Sequence, residues 1–347
     1  MYHYDPYYVE GDEVQTAKNL SQLSESELEE YNRWRKTISF NQQYLNFTGR
    51  SYLANYLRKP PIHHMWRADY FEQEHWVTTR ETHFVKLPPD ELLSKITMSG
   101  SSRVLKDHEP RLLQEYRDTE NTVMNMTLKV LSCAPRLFKI ENFLSQVEID
   151  HILKIAHASD LKLSRIGDVG VGSKSVQDVR TSFNSWVVRE TSPIIDAIYR
   201  RAADLMRIDE SLLRHRSPEE HPELKSRSSL AEKLQLVHYD VAQQYTAHHD
   251  FSYSPIQDQN QGARFATLLL YLNKPELGGE TSFPRWVNAE TFREVRVKPV
   301  IGDAALFYST LPDGNHDDFS QHAALPLLKG EKWLINMWVW NPVYKYG

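Results

Sequence analysis

From residue 232 to 342 the chain runs as one short apolar stretch after another: "KLQLVHY", "RFATLLLYLN", "GETSFP", "EVRVKPV", "AALFYS", "HAALPLL" and "KWLINMWVW". Each has the length of a strand, with the β-branched and aromatic residues that suit a pleated, half-buried surface. The connections, among them "NKPELGG", "LPDGNHDD" and "LKGE", are built from residues that reverse a chain. A series of short strands such as this buries its apolar faces as a sandwich or jelly roll.

Helical signals precede the strands. Ser145 and Glu148 form a capping box ahead of "IDHILKIAHA", and Ser192 with Pro193 opens a second helix. The alternating run "LKVLSCAPRLFKIENFLS" and the stretch "FNSWVV" read as strands. A domain boundary is expected near 128/129, giving a domain over 129–347 with its β core at about 232–342. Residues 1–128 are polar and broken at "KPPIHH" and "KLPPDE", and read as a mostly helical or irregular extension, with Ser24 and Glu27 capping one helix. The segment "RHRSPEEHPELKSRSS" reads as a solvated insertion.

Composition removes several function classes. A net charge of -5 without a long basic tract gives no reason to expect a nucleic-acid partner. A single cysteine, Cys133, excludes an intrachain disulfide and every multi-cysteine metal site, so any metal must sit on His, Asp or Glu. No apolar run is long enough to be a membrane segment. "GDVGVG" is not placed as a dinucleotide fingerprint, and no phosphate-binding loop motif occurs. Sequons at Asn19, Asn46 and Asn125 do not by themselves decide a compartment.

The pair H-x-D occurs four times, at His3/Asp5, His238/Asp240, His248/Asp250 and His316/Asp318. In an extended segment residues i and i+2 share a face, so each pair is able to offer an imidazole and a carboxylate to one metal. Context separates them. His3 lies near the first residue, and His316 sits in an Asp- and Gly-rich turn where a solvated role is expected. His238 and Asp240 straddle Tyr239 and face away from any pocket that Tyr239 faces. His248 ends a strand just before the long loop "FSYSPIQDQNQG", where sites are commonly built. His322 follows on a later strand, and Lys332 opens the last apolar strand. That ammonium either snorkels out of the sheet or sits inside with an anionic partner. Adjacent His63 and His64 cannot both reach one metal from a regular element and read as packing or surface residues.

The ordered set "PRLFKIENFLS", "DVRTS", "LQLVHYDVAQQYTAHHD", "RFATLLLYLN", "GGETSFP", "GDAALFYS" and "QHAALPLLKGEKW" resembles the iron(II)- and 2-oxoglutarate-dependent dioxygenases, and within them the collagen-type prolyl 4-hydroxylase catalytic domain. The resemblance runs from about 130 to 347. It implies a double-stranded β-helix (jelly roll) in an α+β, mainly β chain. It implies His248, Asp250 and His322 as iron(II) ligands and Lys332 as partner of the far carboxylate of the cosubstrate 2-oxoglutarate, with Tyr239 and Thr281 bonding the same molecule. It places Tyr245 and Arg264 at the peptide substrate and makes loops 165–182 and 251–263 lids.

The activity so implied is hydroxylation of peptidyl proline with O2, yielding succinate and CO2, with ascorbate keeping the iron reduced. The partner is then a proline-containing peptide or protein, and the compartment the endoplasmic reticulum, with the cytoplasm as the alternative. Oligomeric state stays open. One position departs: eight residues beyond Lys332 the family usually carries histidine, whereas this chain has Trp340. That departure admits another peptidyl residue or a small molecule as substrate. A catalytically silent jelly-roll peptide-binding module is the reading from another class.

Overall fold

The computed structural model describes residues 63–96, 113–164, 180–251, 264–287, 294–312, 314 and 316–345. The elements below lie in one of two compact units, Pro61–Pro312 with His316–Gly347. In chain order the strands are β1 (Glu74–Thr79), β2 (Met124–Ser132), β3 (Leu137–Ile140), β4 (Lys162–Leu163), β5 (Phe183–Val187), β6 (Leu234–Tyr239), β7 (Tyr245–His248) and β8 (Arg264–Tyr271). They continue with β9 (Leu277–Gly278), β10 (Thr281–Val287), β11 (Glu294–Val297), β12 (Ala304–Tyr308), β13 (His322–Ala324), β14 (Leu327–Lys329) and β15 (Lys332–Trp340). The helices are α1 (Asp90–Ile96), α2 (Gln146–Ala158) and α3 (Pro193–Met206).

Among the described residues a large sheet has the order β1-β2-β3-β12-β8-β15-β6-β5-β4, and a smaller one the order β11-β10-β13-β7. The pairings are antiparallel, so each strand turns alternate residues to opposite sides. Along β15, Trp333, Ile335, Met337 and Val339 join the larger core, which contains Ile149, Ile152, Ile194 and Ile198 of α2 and α3. Leu334 on the other side joins a second core with Val237, Leu269, Phe283, Phe307 and Val297, contributed by both sheets. A slip of one residue would exchange these faces, so the apolar pattern pins the register.

Both expected helix starts are present. Ser145 caps α2 in a reciprocal capping box with Glu148, and the Ser192 hydroxyl accepts the Ile195 amide at the start of α3, with Pro193 in its first turn. Glu148 has a second task, since its carboxylate accepts two bonds from the buried Arg201 of α3, at 2.7 and 2.9 Å.

Some expectations need adjustment. The boundary at 128/129 falls inside β2, and β1 pairs with β2, so the described part of residues 1–128 lengthens the large sheet. The segment 214–229 is not simply solvated. Arg216 is 1% exposed and its guanidinium donates to the Leu212 and Ser226 carbonyls, while Leu224 is buried in the larger core. The helix expected after Ser24, the sequons at Asn19 and Asn46, His3/Asp5, and nearly all of both expected lids lie outside the described residues.

Candidate metal and cosubstrate site

β7 and β13 are neighbours in the small sheet, and their register sets His248 directly across from His322. Asp250 follows two residues after His248, and the three side chains offer ligand atoms within 4.8 Å of one another. His248 Nε2 lies 3.8 Å from Asp250 Oδ1 and His322 Nε2 lies 3.7 Å from Asp250 Oδ2. An ion bonded at about 2 Å to each donor spans separations of this size.

Each imidazole is held by its other nitrogen. Nδ1–H of His248 donates to the Thr246 carbonyl at 2.9 Å, and Nδ1–H of His322 to the Ser320 carbonyl at 3.0 Å. Those bonds fix the tautomer and turn both Nε2 lone pairs toward Asp250. Burial lowers the pKa of both rings, His248 the more strongly because a positive charge there would also be disfavoured by the adjacent His322. Neutral imidazoles are what a metal requires. The Thr267 hydroxyl and the Trp338 indole both donate to Asp250 Oδ2, at 2.6 and 2.9 Å, which keeps Oδ1 for a metal. Burial works to raise the Asp250 pKa, but His322, Arg264, His248 and the Thr267 bond outweigh it and hold the carboxyl well below the usual carboxylate range. Two neutral imidazoles and one ionised carboxylate form the donor set that leaves adjacent positions open on iron(II).

Lys332 opens β15 on the same interior face. It pairs in register with Tyr239 of β6, its Nζ stands 5.3 Å from the Tyr239 ring centroid, and it is only 1% exposed. No described residue accepts a hydrogen bond from Nζ. Burial pushes its pKa down to about 7, partly countered by Glu280. The snorkelling alternative is thereby excluded, and a buried ammonium without an acceptor needs an anionic ligand. Gly279 makes room for it: its φ is +75°, and a Cβ there would stand 3.3 Å from Lys332 Cδ. Thr281 is buried and its hydroxyl shares a 3.1 Å bond with the Tyr271 hydroxyl, while burial raises the Tyr239 pKa. The orphan ammonium and the donor set fit iron(II) with a dicarboxylic cosubstrate.

Tyr245 stacks on His248 with centroids 3.6 Å apart. Arg264 pairs with Glu232 through bonds of 2.6 and 3.0 Å, lies 3.9 Å from the Trp338 ring centroid, and sets NH1 3.9 Å from Asp250 Oδ1. These two expected substrate residues therefore border the cluster.

The other H-x-D pairs among the described residues are not part of this cluster. His238 packs against Trp333 with the rings tilted by 31°, on the helix side, and reaches Glu331 at 3.1 Å. His316 is a correction, being 1% exposed rather than solvated, with its ring stacked on Phe251 at 4.0 Å. Asp318 is likewise buried and pairs with Arg285 and His249. The turn is covered because aromatic and cationic partners from distant segments pack on it, which local composition does not reveal. Sequence reasoning also missed Thr267, Tyr271 and Trp338 as partners of the site, and Arg180, whose guanidinium lies 4.6 Å over Tyr245 and donates to Ser182 and Gln235. Arg180 stands in the quoted "DVRTS", so the signal was present but had no role attached.

Comparison with known proteins agrees with this chemistry. Residues 234–340 match the model of the 2OG-Fe(II) oxygenase superfamily. Probable prolyl 4-hydroxylase 3 of Arabidopsis thaliana is 34% identical over 229 residues, covering 62% of this chain and 73% of the relative. Prolyl 4-hydroxylase 1 of the same plant is 32% identical over 246 residues, covering 69% of this chain and 77% of the relative. Among solved structures, the viral collagen prolyl hydroxylase of Paramecium Bursaria Chlorella virus-1 in its 2OG complex aligns with a TM-score of 0.42 at 24% identity, covering 59% of this chain and 95% of that one.

The protein is thus an iron(II)- and 2-oxoglutarate-dependent dioxygenase whose mainly β core lies between two antiparallel sheets. More narrowly, the chain belongs to the prolyl 4-hydroxylase family of that superfamily. Membership sets aside the catalytically silent binding module.

Proposed function

We propose that this enzyme hydroxylates proline residues of peptides or proteins at C4. The observation that carries the reading is the pairing, on one interior face, of a His-Asp-His donor set with a buried lysine that has no acceptor among the described residues, in a chain whose relatives are named prolyl 4-hydroxylases.

His248, Asp250 and His322 hold iron(II). Lys332 receives the far carboxylate of 2-oxoglutarate, aided by Tyr239 and by Thr281. Iron(II) with this cosubstrate supplies the oxidising power: one oxygen atom of O2 enters succinate as CO2 leaves, and the other enters the substrate C–H bond. The chain's own residues do the rest. The bonds that both imidazoles donate to the Thr246 and Ser320 carbonyls keep them aimed, Trp338 and Thr267 hold the carboxylate in place, and the apolar second core excludes water around Lys332. Tyr245 and Arg264 border the cluster and orient the peptide. Loops 165–182 and 251–263 act as lids in this reading, and the catalytic domain takes in β1 and the whole of β2 together with residues 129–347, because both strands belong to its large sheet.

Ascorbate is the reductant proposed to restore oxidised iron, and the endoplasmic reticulum the proposed compartment; both rest on the family resemblance. No helix among the described residues is long and apolar enough to cross a membrane. The test of the function is mass spectrometry of proline-rich peptides incubated with enzyme, iron(II), 2-oxoglutarate and O2. Gain of one oxygen atom on proline is expected; succinate release with oxygen found on another residue or on a small molecule would replace proline as the substrate.

A further inference from the structure

Trp340 stands where the resemblance leads one to expect histidine, and the structure commits this side chain in a different way. Residue 340 is the Cα partner of Arg264 across β15 and β8, immediately after a register shift between Val339 and Trp340. A shift of this kind re-aims the side chains at a strand end. Three atoms of Trp340 are then anchored. Its amide donates to the Leu230 carbonyl at 2.8 Å, its carbonyl accepts the Nε2–H of buried His63 at 3.0 Å, and its indole Nε1–H donates to Glu232 Oε1 at 2.7 Å.

The last bond matters for the site. Glu232 Oε1 also accepts Arg264 Nε at 2.6 Å, and Glu232 Oε2 accepts Arg264 NH2 at 3.0 Å. One carboxylate thus receives a guanidinium fork and an indole N–H together. Arg264 sets its guanidinium carbon 3.9 Å from the ring centroid of Trp338, which itself bonds the metal-side carboxylate Asp250. Indole nitrogen has one donor and no acceptor, and it does not titrate. Where histidine would be free to present a donor or an acceptor outward, this N–H is spent on Glu232.

We propose that Trp340 is a positioning residue that sets peptide specificity, fixing Glu232 and through it the orientation in which Arg264 receives the peptide. The inference rests on the peptide-hydroxylase reading above. Trp340 touches neither metal nor cosubstrate in this account, so its effect falls on peptide affinity and on coupling, the number of hydroxylations per succinate released.

The experiment compares wild type, W340F, E232Q and the double variant at saturating 2-oxoglutarate, on a panel of proline-rich and proline-free peptides. W340F keeps an aromatic ring and removes the N–H. For W340F the peptide KM is expected to rise about tenfold, the size expected for one hydrogen bond to a charged group. Its kcat and its KM for 2-oxoglutarate should stay near wild type, and its coupling should fall. E232Q should show a loss at least as large, and the double variant should be no worse than E232Q alone, because both changes act through one carboxylate. A wild-type peptide KM in W340F, or losses that multiply in the double variant, overturns the proposal. Should W340F melt below the assay temperature, the peptide KM and coupling of E232Q decide it by the same criteria. Wild-type turnover confined to proline-free peptides overturns the proline reading instead, and the same variants on those peptides then decide the role of Trp340.

Discussion

Two of the fully buried cationic side chains among the described residues, Arg201 and Lys332, sit on opposite sides of the large sheet and are treated in opposite ways. On the helix side, Arg201 is closed in: its guanidinium donates to both oxygens of Glu148 and to the carbonyls of Glu81, Thr82 and Phe143. Between the sheets, Lys332 is as deeply buried and no described residue accepts from its ammonium. The first arrangement is complete within the chain and ties α2, α3 and the segment before β2 together. The second is costly as it stands and becomes favourable only when an anion arrives. A buried charge whose partners are all present is structure; one whose partner is missing marks a ligand.

Substitution separates the two most sharply. Arg201→Met leaves Glu148 as an unpaired buried carboxylate and should cost about 3–5 kcal/mol of stability, read by urea denaturation. Lys332→Met removes an unsatisfied charge, so its urea midpoint should match or exceed that of wild type, while 2-oxoglutarate affinity falls about 30-fold or more in calorimetry. A destabilised Lys332→Met with intact cosubstrate binding would erase the distinction.

Titration sharpens the comparison further. Burial pushes the Lys332 pKa down from the ordinary 10.5 to about 7. Bound carboxylate requires the charged form, so 2-oxoglutarate affinity should be highest below about pH 7 and weaken by up to about tenfold per pH unit above it, with proton uptake on binding. Stability without cosubstrate runs the other way. The unfolded chain binds this proton more tightly, so the contribution of Lys332 to folding becomes more favourable as pH rises from about 7 toward 10.5. A cosubstrate affinity indifferent to pH over this window would count against Lys332 as its partner.

The smallest effect is expected at His238. Its ring packs on Trp333 on the helix side, away from the cluster, so His238→Ala should leave kcat within about twofold while His322→Ala abolishes turnover and tight iron binding. Equal losses would mean that the functional pair of the two H-x-D motifs had been wrongly chosen.

Much of this was legible in the sequence because it is written locally. Short apolar runs separated by turn residues announced the strands of the β core, Ser145 with Glu148 and Ser192 with Pro193 announced α2 and α3, and the Tyr239 face separated His238 from His248. What escaped depends on chain segments far apart. Trp338 reads as one more apolar strand residue until β15 pairs with β8 and brings its indole to Asp250. His316 and Asp318 look solvated until Phe251, His249 and Arg285 cover them. Residues before 128 looked like an appendage because β1 carries mixed polarity, and only its pairing with β2 makes it part of the large sheet.

The most direct test is a crystal structure of the protein loaded anaerobically with iron(II) and 2-oxoglutarate. The account predicts one iron bonded to His248 Nε2, Asp250 Oδ1 and His322 Nε2, with the far carboxylate of 2-oxoglutarate in ion-pair contact with Lys332 Nζ. Iron bound at another set of residues, or a cosubstrate carboxylate turned to a different cation, would contradict it.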